Sequence, residues 1–201
     1  MKPYYSENGI VIYNADCREI LPSLPKVDLV LTDPPYGIGI SANPFRQKFE
    51  RSEWDATRPD PMHFRFILDG SKQAIIWGGN YFADMLPATQ RWLVWDKEQP
   101  EDFSSAMCEM AWTNLTGPEK MFRKRVVQIQ KYHPTTKPFE LMQWCIGMAD
   151  NPQTILDPFM GSGTTLRAAK DLGRNAIGIE IEEKYCEIAA KRLQQEVFDF
   201  K

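Results

Sequence analysis

Between Thr154 and Glu180 the chain passes through an apolar stretch, a Gly-rich turn, a helical pattern and a second apolar stretch. That order commits it to a strand–helix–strand unit whose two strands lie parallel. The turn reads Asp157-Pro158-Phe159-Met160-Gly161-Ser162-Gly163-Thr164-Thr165, between the run Thr154-Ile155-Leu156 and the helical pattern from Leu166 to Leu172. Glycines there let a ligand approach the backbone, and the free N–H groups of the first helical turn attract negative or polar ligand atoms. Glu180 ends the second run, Asn175-Ala176-Ile177-Gly178-Ile179, and stands 19 residues after Gly161. An acid at that distance, at the tip of the next strand, is placed to bind ribose hydroxyls. The third glycine of a dehydrogenase fingerprint would fall at Leu166, so a nucleoside ligand without a pyrophosphate fits better than a dinucleotide. A turn that only stabilises a strand–helix corner is the plainer alternative.

A second turn carries chemistry of its own. Asp33-Pro34-Pro35-Tyr36 ends the apolar run Val27-Asp28-Leu29-Val30-Leu31-Thr32. An amine on a nucleobase ring is a poor nucleophile because its lone pair is delocalised. A site that alkylates it has to accept hydrogen bonds from both N–H groups and draw the nitrogen toward tetrahedral geometry. Asp33 supplies one acceptor, and Pro35 restricts Pro34 to an extended conformation that helps aim the Pro34 carbonyl as the second. Tyr36 offers a ring on which an extruded base can stack. A strand ending in a Pro-rich turn is the alternative for these four residues alone.

Taken together, the two turns resemble those of the DNA methyltransferases that methylate amino groups with S-adenosylmethionine. The order, with the catalytic turn at residue 33 and the cofactor turn at 157, resembles the permuted beta group of adenine-N6 and cytosine-N4 enzymes. Three further segments are similar to that group. Asn14-Ala15-Asp16-Cys17-Arg18-Glu19-Ile20-Leu21 resembles the stretch whose Asp contacts the adenine of the cofactor, which implies cofactor roles for Asp16 and Cys17. Arg91-Trp92-Leu93-Val94-Trp95-Asp96-Lys97 resembles the Trp-x-Lys strand near the target base. His133-Pro134-Thr135-Thr136-Lys137-Pro138 resembles the element that meets the methionine end of the cofactor, implicating Thr135 and Lys137. The resemblance implies a Rossmann-like α/β methyltransferase fold with a mostly parallel seven-stranded sheet and circularly permuted motifs. The implied activity is methyl transfer to adenine N6 in DNA after base flipping, as in restriction–modification systems. Cytosine N4 is the rival target, although its enzymes more often carry Ser where Asp33 stands. A catalytically silent nucleic-acid-binding protein is the alternative from another class, and intact Asp33 and Gly161 turns speak against it. The cofactor set so implied is Asp16, Cys17, Asp33, Thr135, Lys137, Asp157, Pro158, Phe159, Gly161, Ser162, Gly163, Thr164, Thr165 and Glu180. A homodimer is also suggested by the resemblance.

Strands are expected near Val11–Asn14, Val27–Thr32, Ala74–Trp77, Trp92–Trp95, Glu109–Thr113, Thr154–Leu156 and Ala176–Ile179, and helices near Pro61–Asp69, Pro138–Met148, Thr164–Asp171 and Glu182–Glu196. Asp16, Asp33, Asp157 and Glu180 then fall at strand ends, where ligands of such sheets bind. The 201 residues suit one domain with a proper core, spanning 1–201. A long mobile loop is expected over 37–61 and a small target-recognition insertion over 98–132. The first residues hold no signal peptide and no stretch approaches membrane-spanning length, so a cytoplasmic protein is expected. Four scattered cysteines and two histidines give no reason to expect a disulfide or a metal.

A net charge of −3 argues against a DNA partner only if charge is spread evenly. It is not. Lys120-Met121-Phe122-Arg123-Lys124-Arg125 concentrates cations, and Arg46, Lys48 and Arg51 follow the catalytic turn. With Lys97, Arg123, Lys124 and Arg125, these form the expected DNA-binding set, the alternative being a solvated charged face. Gly78-Gly79-Asn80 reads as a simple turn.

Overall fold

The computed structural model describes residues 2–38, 57–100, 106–125 and 137–195. Nine strands form one sheet in the order β1-β2-β9-β8-β3-β4-β6-β5-β7. The strands are β1 (Tyr5–Glu7), β2 (Ile10–Asn14), β3 (Val27–Thr32), β4 (Ser71–Trp77), β5 (Trp92–Asp96), β6 (Cys108–Thr113), β7 (Lys120–Arg123), β8 (Thr154–Asp157) and β9 (Asn175–Glu180). The helices are α1 (Cys17–Ile20), α2 (Pro61–Asp69), α3 (Phe139–Met148), α4 (Thr164–Asp171) and α5 (Glu183–Gln194). Among the described residues the sheet therefore has nine strands and not the expected seven. The two extra ones lie at its edges, where one face or both meet solvent and no apolar run announces a strand: β1 is half-buried to exposed, and β7 is mostly exposed.

Strands β2, β9, β8, β3 and β4 run parallel, while β6 is antiparallel to both β4 and β5. Residues of the central strand β3 alternate between two cores. Leu29 and Leu31 pack with α3, α4 and α5 residues such as Leu141, Leu166 and Cys186, whereas Val30 joins Cys17, Phe64 and Ile67 of α1 and α2 on the opposite face. Burial on both faces explains why β3 reads as one continuous apolar run.

The chain leaves β3 for β4 on one side and returns to β8 on the other, with Val30 opposite Leu156. This is the topological switch point of the sheet, and the crevice beyond the carboxyl ends of β3 and β8 is where such folds bind ligands. Both signature turns open there. The expected loop over 37–61 and insertion over 98–132 fall in large part outside the described residues, as do Arg46, Lys48, Arg51, His133 and Thr135. Among the described residues no helix is long and apolar enough to cross a membrane.

Candidate active site

Asp33 follows the last residue of β3, Asp157 ends β8 and Glu180 ends β9, so three acids distant in sequence share one sheet edge. A cavity of about 370 Å³ joins them, lined by Asp33, Pro35, Lys137, Asp157, Phe159, the turn from Met160 to Ser162, Thr164, Thr165 and Glu180 among others. A second cavity of about 330 Å³ shares Pro35, Phe159 and Glu180 and continues to Asp16, Cys17, His63 and Pro158. Each volume falls within the range of small-molecule sites. Of the residues implicated in cofactor binding, only Gly163 among those described is absent from both linings.

Gly163 has a different task. Its φ of +74° turns the backbone into α4, and a Cβ there would sit 2.7 Å from the Ala189 Cβ of α5. It fixes how closely the turn rests on the fold while its neighbours face the cavity. The Glu180 carboxylate accepts hydrogen bonds from the Gly161 N–H at 3.0 Å and the Glu182 N–H at 2.8 Å. Burial outweighs these bonds and pushes its pKa up to about 7. Asp157 accepts from the Thr32 hydroxyl at 2.8 Å and the Phe159 N–H at 3.2 Å, and burial raises it to about 6. At the far end, Asp16 caps α1 through the Arg18 N–H at 2.9 Å and pairs with the Arg18 guanidinium. An acid framed by backbone donors at one end of a cavity, and a capped Asp with a buried Cys at the other, suit the ribose and base of a nucleoside.

The catalytic turn meets a different environment. Asp33 Oδ1 accepts from the Tyr36 hydroxyl at 2.5 Å, and Oδ2 is ion-paired with the Lys137 ammonium. Lys137 also reaches Glu109 Oε2 at 2.9 Å, and Lys97 holds the other Glu109 oxygen at 2.8 Å. The result is a chain of alternating charge, Asp33–Lys137–Glu109–Lys97, assembled from the ends of β3 and β5, from β6, and from the segment leading into α3. Burial pushes Asp33 above the usual carboxylate range; Lys137 opposes that and Glu109 reinforces it. Burial also holds the Tyr36 phenol well above its ordinary value, which keeps it a proton donor to Asp33.

Sequence reasoning missed Glu109. The available signal was an acid entering the apolar strand Cys108-Glu109-Met110-Ala111-Trp112: by the two-residue period it faces the same side as Ala111, which is fully buried. Lys97 needs correction as a DNA contact. Only 12% of its side chain is exposed and its charge is spent on Glu109, because the end of β5 points it inward. Lys124 is likewise drawn to Glu140 at 2.6 Å with 20% of its side chain exposed. Arg123 is 64% exposed and paired with Asp96 at 3.4 Å, and Arg125 is exposed, so these two are cations at the surface. Tyr36 also differs from an open platform. Tyr81 stacks on it with centroids 4.8 Å apart, and Gly78, at φ +70°, lies so close that a Cβ would be 2.1 Å from the Tyr36 ring. The turn at Gly78 thus supports the Tyr36 ring.

Comparison with known proteins agrees with this geometry. A family model described as DNA methylase matches residues 83–191, more than half of the chain. The type II methyltransferase M.HinfI of Haemophilus influenzae is 32% identical over 146 residues, covering 71% of this chain; the chain spans only 38% of that enzyme's length. The crystal structure of the M1.HpyAVI–SAM complex superposes with a TM-score of 0.67 at 27% identity, covering 92% of this chain and all of that one. The cytosine-N4-specific PvuII DNA methyltransferase shares the fold, with a TM-score of 0.70 at 17% identity over 98% of this chain and 91% of its own. With its permuted order of turns, the chain belongs to the DNA methylases, in the beta group of amino-methyltransferases.

Proposed function

We propose that this protein transfers a methyl group from S-adenosylmethionine to the N6 amine of adenine in DNA. The observation that carries this reading is the Asp33 carboxylate at the switch point, on the wall of a cavity whose other end is framed by Glu180 and the Gly161 turn. S-adenosylmethionine would be held by Asp157, Glu180 and the backbone of the turn, with Asp16, Cys17 and Phe159 around its base, and it supplies an electrophilic methyl group on a sulfonium.

The chain's own residues do the rest. Asp33 and the Pro34 carbonyl accept from the two N–H groups of the target amine, which localises the lone pair on nitrogen. As the new N–C bond forms, positive charge builds on that nitrogen, and a fixed carboxylate beside it stabilises the change without reorganising. Asp33 is also the nearest acceptor for the proton the nitrogen then sheds. Removal of solvent by the buried walls strengthens each of these contacts.

Both adenine and cytosine present two amine N–H donors, so the acceptor pair alone does not choose between them. The Asp at position 33 favours adenine, since cytosine-N4 enzymes more often carry Ser there. DNA incubated with the protein and S-adenosylmethionine, digested to nucleosides and analysed by mass spectrometry, is expected to yield N6-methyladenine. N4-methylcytosine alone would move the target while leaving the mechanism standing.

For DNA binding, Arg123 and Arg125 are the described cations we assign to phosphate contacts. They are exposed at the edge strand β7 and just beyond it.

A further inference from the structure

Glu109 lines neither of the two cavities described above, yet it organises the corner around Asp33. It stands between two ammonium groups, Lys137 at 2.9 Å and Lys97 at 2.8 Å, and the Tyr36 hydroxyl lies 3.5 Å from the oxygen that faces Lys137. Only 6% of the Lys137 side chain is exposed, so its ammonium depends chiefly on these protein partners. Its ammonium is held by Asp33 and Glu109 and donates to the Tyr36 hydroxyl at 3.2 Å.

We infer that Glu109 is a positioning residue for methyl transfer: Lys137 is in contact with Asp33, and by taking a second share of that ammonium's charge and hydrogen bonding Glu109 leaves the Asp33 carboxylate a stronger acceptor for the incoming amine. The inference rests on the methyl-transfer reading above. Its physical basis is competition. A buried ammonium with one carboxylate partner concentrates its hydrogen bonds and charge on that partner and weakens it as an acceptor for anything else. With two partners, neither is saturated. Lys97 makes the arrangement affordable, since it brings the four charges to zero and keeps Glu109 ionised, well below the usual carboxylate range despite its burial.

Removing the negative charge of Glu109 has a signed consequence for every group facing it. Lys137 is raised by Asp33 and Glu109 against the opposing effect of burial, so it loses part of that support and its pKa falls. Asp33 is raised in part by Glu109, so its pKa falls as well. Of the other titratable groups near this corner, Tyr36 from the catalytic turn is also raised in part by Glu109 and falls with its loss, whereas Cys145 from α3 and Asp157 behind Asp33 do not owe their shifts to it.

The test is Glu109→Gln, which keeps shape and removes charge. In the unliganded protein with ¹³Cε-labelled lysine, the Lys137 resonance should titrate at a pH lower by about one unit or more. In single turnovers on DNA, methyl transfer should slow by roughly 10- to 100-fold, with the acidic limb of the pH–rate profile displaced to lower pH and the cofactor KM changed by less than about threefold. Glu109→Asp should recover part of the rate. An unshifted Lys137 titration overturns the inference, and so does a variant that transfers methyl groups at the wild-type rate. If Glu109→Gln fails to fold, Glu109→Gln with Lys97→Met removes the pair together and leaves no orphaned charge, and the same two readouts apply to it. A wild-type protein that methylates no DNA would refute the proposed function instead, while the lysine titration would still judge the placement of Glu109.

Discussion

The two ends of the active crevice solve the burial of acids in opposite ways. At the base end, Asp33 and Glu109 are matched by Lys137 and Lys97, two charges against two, in one connected chain. At the nucleoside end, Asp157 and Glu180 are held by backbone N–H groups and the Thr32 hydroxyl, with no cation paired to either among the described residues. Burial consequently lifts them to about 6 and about 7, into the range where ordinary changes of pH alter their charge. The pairing also explains where rigidity is needed. In the proposed function, a carboxylate that aims at one amine would be fixed by ion pairs, whereas one that accepts ribose hydroxyls would keep bonds that an arriving ligand can exchange.

The sharpest way to break this contrast is at Asp33. Asp33→Ala is expected to lower the transfer rate by about 10²- to 10³-fold or more while leaving most of the cofactor affinity, because it removes a preorganised acceptor for the amine and none for the ribose. Single-turnover kinetics beside calorimetry with S-adenosylmethionine separates the two effects, and a variant that turns over normally would remove Asp33 from the mechanism.

The nucleoside end should respond in affinity. Glu180→Ala is expected to weaken S-adenosylmethionine by about 1 to 3 kcal/mol through lost charge-assisted hydrogen bonds. Wild-type affinity should also decline as pH falls through about 7, where Glu180 gains its proton, and Glu180→Gln should flatten that dependence. The stability of the unliganded protein should run the other way. Both acids have folded values raised above their unfolded ones, so the stabilisation they lend is complete below about pH 4 and is lost as pH rises through about 6 and then about 7. A pH series of calorimetric binding and thermal melts checks both signs; affinity that is level from acid to neutral pH would mean that Glu180 does not bind the ribose.

Gly78 lies behind the base end. Gly78→Ala forces a side chain into the Tyr36 ring at a φ of +70°, and a cost of roughly 1 to 3 kcal/mol in stability is expected together with slower transfer. A denaturant melt that matches wild type would show that the tyrosine has room to yield. The smallest effect belongs to the DNA surface. Neutralising Arg123 and Arg125 should weaken DNA binding across sequences and reduce the salt slope by about one unit per lost phosphate contact. Lys124, already engaged with Glu140, should contribute less than either.

Much of this architecture could be read from the sequence because buried parallel strands leave continuous apolar runs. Helices α2 and α4 fall where the pattern placed them, and α2 is bounded by readable signals: Asp60 caps it, Pro61 opens it and Gly70 closes it. The edge strands β1 and β7 left no such mark. The convergence of Asp16, Asp33, Asp157 and Glu180 was legible because each sits at or just beyond a strand end. The interior ion chain was not. Lys97 and Glu109 look like surface residues in a linear reading, and only the antiparallel register of β5 with β6, which sets Trp95 opposite Glu109, brings them together and inward. The Tyr36–Tyr81 stack was hidden for a similar reason, since a short helical turn after β4 decides which ring covers which.

The seam between β3 and β8 also bears on how the protein comes into being. The catalytic strand is made early and the neighbour that completes its hydrogen bonds comes more than 120 residues later, with Leu29 opposite Ile155. Pairing strands so far apart carries a large loop-closure cost and slows folding. Until β8 arrives, a nascent chain exposes one long side of its most apolar strand, an open edge of the kind that recruits other chains. Closing that edge is the same event that brings Asp157 to Thr32 and draws the cofactor turn alongside the catalytic turn, so the enzyme has no assembled crevice before its last third has docked.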